Sequence, residues 1–179
     1  GIEQTQVGFL VGIYALASAL FAIPLISMTL WVNRKILLLA LLAGFTVSNI
    51  VVGITSSYAL IVAMRILGGI CAGIMWPMIA AYGTALVPEH MHGRAITIIM
   101  AGNTFGVSLG LPLMTFIGTQ IGWRTAFLLL GAMGATIALL AVKYLPSVKG
   151  EKLTQSNSPL AVLKIPAVLI VLLLTFLSV

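Results

Sequence analysis

Negative charge is almost missing from this chain: its 179 residues include three glutamates, Glu3, Glu89 and Glu151, and no aspartate. Charged residues of both signs make up 7% of it, against about 25% in soluble domains, which excludes an ordinary soluble fold. The single cysteine, Cys71, has no partner for an intrachain disulfide and says nothing about redox compartment. Catalytic patterns are missing too. There is no glycine-rich phosphate loop, serine–histidine arrangement or cysteine cluster, so the chain is not expected to be an enzyme or to carry a cofactor. The net charge of +6 comes from basic residues scattered at the ends of apolar runs, with no patch or stripe for nucleic acid. A metal site at His90 and His92 would have only Glu89 nearby as a further ligand, and a solvated loop is the better reading. The opening GIEQTQVGFL lacks the basic segment and cleavage site of a signal peptide.

Apolar residues fill the chain instead: 61% are hydrophobic and the mean hydropathy is +1.21. At least five runs exceed the roughly 17–25 residues that cross a bilayer as a helix. They are continuous rather than alternating, which predicts helices and not a barrel. The expected fold is therefore all-α, a polytopic transmembrane helical bundle. Its helices fall at about 7–30, 36–55, 58–87, 95–117 and 125–145, and a polar linker follows over 146–164. The last apolar run, 165–179, is the start of a further transmembrane helix. At 1.5 Å per residue it reaches only about 22 Å of a core of about 30 Å, so the chain reads as a fragment.

Sidedness follows from the cations. Numbering the gaps alternately puts Arg34, Lys35, Arg94, Lys143, Lys149, Lys152 and Lys164 on one side and only Arg124 on the other. The positive-inside rule then makes the linker 146–164 cytoplasmic, in a multi-pass protein of the plasma (inner) membrane. Trp123 suits an interfacial anchor.

One cation breaks the pattern. Arg65 lies about 10 Å down the helix that starts near Tyr58, where a charge costs about 2.5–3.5 kcal/mol on insertion scales. It either faces a watery cavity or the bundle interior, or snorkels to the outer interface. Gly69, Gly73 and Trp76 follow on or near its face, and Gly69-x-x-x-Gly73 lets a neighbouring backbone approach closely. Gly102, Gly106 and Gly110 repeat the device, with Pro112 closing the stripe; Gly8, Gly12, Ala15, Ala19 and Ala22 form a third. Among the few polar groups within the apolar runs, Asn103 either meets substrate in a cavity or bonds another helix, worth about 0.6 kcal/mol. Tyr14 is a pathway candidate whose commoner role is packing with a satisfied hydroxyl.

Arg65-x-x-x-Gly69-x-Cys71-Ala72-Gly73 resembles the fourth-helix motif of the major facilitator superfamily. Gly102-x3-Gly106-x3-Gly110-Leu-Pro112 resembles the fifth-helix motif of its drug:proton antiporter branch. Gly-Leu-Pro-Leu followed by Gly122-Trp-Arg-Thr-Ala-Phe127, with the opening Val7-Gly-Phe-Leu-Val-Gly-Ile-Tyr-Ala-Leu and Pro24, is most similar to the sugar (arabinose-type) efflux permeases. One family pattern is mostly lost. Where the loop after the second helix usually reads Gly-x-x-x-Asp-Arg-x-Gly-Arg-Arg/Lys, only Arg34-Lys35 survives, with Ile26, Leu30 and Asn33 at the Gly, Asp and second Gly. Arg34 and Lys35 then read as topology determinants.

The resemblance implies family helices two to six and the start of seven, a partial N-terminal half of the major facilitator fold. It implies a secondary transporter working by alternating access, with proton-coupled efflux of sugars or small amphipathic drugs. Its partners would be the lipid bilayer, the small-molecule substrate, protons, and the missing first helix and C-terminal bundle of the same transporter. It favours Arg65 and Asn103 over Asn49 as pathway residues. Two alternatives stand beside it: a non-transporting membrane scaffold or assembly subunit, and an inert fragment of the transporter.

Overall fold

A computed structural model describes residues 4–29 and 32–148, with side chains described over 8–21, at 29 and over 32–148. Glu3, Glu151, the linker beyond Val148 and the run 165–179 lie outside the described residues. Every regular element that is described is helical. The helices are α1 (Gln4–Thr29), α2 (Arg34–Ile54), α3 (Tyr58–Ala85), α4 (His92–Phe105), α5 (Leu111–Gln120) and α6 (Trp123–Tyr144). A short 3-10 turn, Glu89–Met91, leads into α4, and a π turn, Gly106–Gly110, joins α4 to α5. Among the described residues four segments are long and apolar enough to cross a membrane: α2, α3, the unit Glu89–Gln120, and α6. The described side chains of α1 add a shorter apolar stretch over Gly8–Phe21.

Short connections make consecutive segments antiparallel, so the bundle has two ends. The start of α1, the turn from α2 to α3, and the start of α6 share one end. Asn33, the turn from α3 to α4, and the chain leaving α6 share the other. Gly122 makes the reversal between α5 and α6 possible. It is the one described residue with positive φ, at φ 122° and ψ 145°, a conformation that a Cβ disfavours.

Lipid tails are as apolar as leucine, so close packing rather than the hydrophobic effect must hold such helices together. Small residues sit at the crossings. A Cβ on Gly69 would collide with the carbonyl oxygen of Tyr14, and one on Gly73 would fall 2.6 Å from that of Ser18. Backbone therefore meets backbone where α1 crosses α3. Gly131 and Gly134 of α6 make room for Ile50 and Thr46 of α2, and Gly53 of α2 makes room for Leu128 of α6. Between α2 and α3, Gly44 faces Cys71 and Gly68 faces Ser48.

The interior changes character along its length. Near the Asn33 end it is apolar: Leu38, Leu41, Leu42, Cys71, Ile74, Met78 and Ala141 form one buried cluster. Toward the other end α2 buries Thr46, Ser48 and Asn49. The unit Glu89–Gln120 is different again. No part of its apolar window is buried, and large side chains such as Phe105, Leu109 and Phe116 are exposed. Pro112 explains the π turn. It has no N–H for the carbonyl of Ser108 four residues back, and the helix widens over Gly106–Gly110 just before it. In contrast, α3 runs through Pro77 without interruption.

The Asn33 end is tied by polar contacts. Asn33 caps α2, its Oδ1 accepting from the Lys35 N–H at 3.0 Å. Its Nδ2 donates to Ser147 Oγ at 2.6 Å, and the Arg34 N–H donates to the Val148 carbonyl at 2.9 Å. Lys35 Nζ donates to the Val142 carbonyl at 2.9 Å, one of the acceptors left without an intrahelical partner in the last turn of α6. The Tyr82 hydroxyl donates to the Pro146 carbonyl. The chain over 145–148 is thereby strapped across α2 and α3.

Candidate functional site: a buried arginine and its pocket

Arg65 lies two turns into α3, half-buried and turned into the bundle. Its Nη2 donates to Asn49 Oδ1 at 3.1 Å. Asn49 is 2% exposed, and its Nδ2 donates to the Phe45 carbonyl of its own helix at 2.8 Å. That second bond fixes the amide, turning its oxygen to the arginine. Two aromatic faces complete the surroundings: Phe127 of α6, with its centroid 4.5 Å from Arg65 Cζ, and Tyr14 of α1, at 5.5 Å. Both lie within the range where a ring quadrupole attracts a cation.

No carboxylate takes part among the described residues. Glu89, the only described glutamate, lies past the far end of α3. Among the described residues the buried Arg65 Nε has no hydrogen-bond partner. The charge is thus held by one neutral oxygen and two rings, a partial compensation for its removal from water.

Beside it lies a cavity of about 200 Å³ lined by Leu10, Val11, Tyr14, Val52, Ile61, Arg65, Trp123 and Phe127. These residues come from four helices at the end opposite Asn33. The start of α6 is anchored there by Arg124, whose Nη2 donates to the Thr55 carbonyl at 3.2 Å and which stacks over Trp123 at 4.9 Å. Trp123 meets Phe127 edge to face, 6.0 Å between centroids.

The structure thus brings Arg65 and Tyr14 together, on the two helices whose crossing Gly69 and Gly73 permit. Asn103 stands apart from them. It is half-buried on α4, does not line this cavity, and makes no side-chain hydrogen bond to a described residue. Substituents at Gly102, Gly106 and Gly110 would meet nothing within 4 Å, so that stripe faces no described helix. Asn49 and Phe127 are the partners that reading the sequence passed over. A signal for Asn49 exists: it and Arg65 lie five and seven residues from the facing ends of α2 and α3, hence at similar depth across an antiparallel turn. Nothing comparable marks Phe127.

Membrane-crossing helices packed through small residues, with Arg65 set into the bundle among them, define a multi-pass integral membrane protein. The sequence model of the Major Facilitator Superfamily matches residues 1–179. The chain belongs to that superfamily, and its class of activity is membrane transport of the major facilitator type.

Proposed function

We propose that this chain serves a secondary active transporter that exports sugars or small amphipathic drugs in exchange for protons, by alternating access between two helical bundles. Arg65 supplies a fixed positive charge beside the solute pathway, and Tyr14 and Asn103 are further pathway residues. The observation that carries this reading is the placement of Arg65 at a cavity, held by neutral groups only among the described residues. A charge inside a membrane bundle marks a solute or ion pathway more often than a structural contact. The orientation that puts Arg34, Lys35 and the segment after Tyr144 in the cytoplasm opens the Arg65 cavity toward the outer half of the plasma membrane.

The test is substrate-driven proton movement in inside-out vesicles carrying the full transporter, with sugars and amphipathic drugs as substrates. Arg65→Leu should abolish the response at unchanged expression, and Arg65→Lys should keep part of it. Full activity of the leucine variant would remove Arg65 from the mechanism. The unpartnered Gly102, Gly106 and Gly110 favour a second reading, a scaffold that binds another helix through this stripe. In that case no compound would move protons or accumulate.

A further inference from the structure

We propose that the Arg65 cavity recognises a small organic monoanion with a single apolar ring, of the aryl carboxylate class, and that Asn49 is the positioning residue that keeps Arg65 available to it. This rests on the transporter reading and narrows its substrates to the amphipathic kind.

A guanidinium has five N–H donors in one plane and no acceptor. Asn49 Oδ1 takes a donor of Nη2, and Nη1 has no hydrogen-bond partner among the described residues although Arg65 lines the cavity. The rings of Phe127 and Tyr14 attract the charge through their faces but do not replace oxygen acceptors in the guanidinium plane. A carboxylate would meet the Nη donors end-on with its two oxygens, the planar pairing that favours arginine. The rest of the wall suits the other end of such a molecule. Leu10, Val11, Val52 and Ile61 offer no polar side-chain atom, and Trp123 and Phe127 supply aromatic surface. A sugar would bring a ring of hydroxyls to a wall with few groups to receive them, and unpaired hydroxyls oppose binding. Size agrees. An apolar cavity of about 150 Å³ holds benzene, and about 200 Å³ here leaves room for a carboxylate on the ring.

The choice of asparagine matters to this reading. Asn49 orients Arg65 through an uncharged oxygen, itself locked by its bond to Phe45. An aspartate in the same place would orient the guanidinium equally well and neutralise it.

The experiment uses the full transporter, purified, and follows quenching of Trp123 by 4-nitrobenzoate. The neutral isostere 4-nitrobenzamide is run in parallel, and Trp123→Phe is the background for quenching elsewhere. The expected result is saturable quenching by the anion, at least about tenfold tighter than by the amide. Asn49→Asp should lose that preference while Asn49→Gln keeps part of it, and Arg65→Gln should lose it too. A lack of Trp123-dependent quenching, equal affinity for the two probes, or an unchanged preference in Asn49→Asp would each overturn the proposal. If Arg65→Gln fails to fold, the two Asn49 variants decide. Transport of a neutral sugar or drug without 4-nitrobenzoate binding would sink this inference and leave the transporter standing. Binding without any vesicle transport would do the reverse.

Discussion

At the crossing of α1 and α3, the energetic effect of one methyl group can be worked out in advance. On Gly73 it would lie 2.6 Å from the Ser18 carbonyl oxygen and 3.0 Å from Ser18 Cα, where ordinary contact starts at 3.4 Å. On Gly69 it would collide with the Tyr14 carbonyl and lie 3.2 Å from Ala17 Cβ. The obstacles are backbone atoms, which cannot turn aside as a flexible side chain can. The helices must therefore separate by roughly 1 Å, a gap that forfeits a quarter to a half of the dispersion at each contact they share. Overpacking of this kind costs about 1–3 kcal/mol. Alanine also favours a helix over glycine by up to about 1 kcal/mol, which would mask part of the effect. Gly102→Ala removes that ambiguity, because its methyl meets nothing within 4 Å. Gly69→Ala and Gly73→Ala should thus fall about 1–3 kcal/mol below Gly102→Ala in unfolding from mixed micelles. Because they share one crossing, the double variant should lose less than the sum. Equal stability of all three alanine variants would refute the backbone-on-backbone crossing.

Gly122→Ala places a Cβ on a backbone at φ 122° and should cost about 1–3 kcal/mol in the same unfolding assay. A cost near zero would mean that the α5–α6 reversal relaxes freely. Tyr82→Phe removes the hydroxyl that donates to Pro146 and should cost about 1 kcal/mol. Proteolysis after α6 should also accelerate, and an unchanged cleavage rate would show that the strap does not depend on this bond.

The architecture was legible because membrane physics leaves few choices: long apolar runs must be helices. Glycines at helical spacing on α3 announced a close approach without naming the neighbour, which proved to be the Tyr14–Ser18 segment of α1. The partner of Arg65 was harder to see. Attention to family pathway helices favoured Asn103, whereas the structure pairs Arg65 with Asn49 through a register that only the length of the α2–α3 turn records. Phe127 was invisible for another reason. Its ring reaches Arg65 across a contact between elements far apart in sequence, and an aromatic in an apolar run carries no mark of its cationic neighbour. The π turn depends on a strain that Pro112 imposes backwards along its own helix, and no periodicity reports it.

The pairing of α2 with α6 has a mechanical consequence. Arg124 bonds the turn after α2 at one end, Thr46, Ile50 and Gly53 interlock with Gly134, Gly131 and Leu128 in the middle, and Asn33, Arg34 and Lys35 bind the chain leaving α6 at the other. Fastened at both ends and between, the two helices should move as one body rather than slide along each other. Alternating access between two bundles would carry this pair as one rigid unit. A disulfide joining positions 50 and 131 should leave transport intact; arrest would show that the two helices shift against each other.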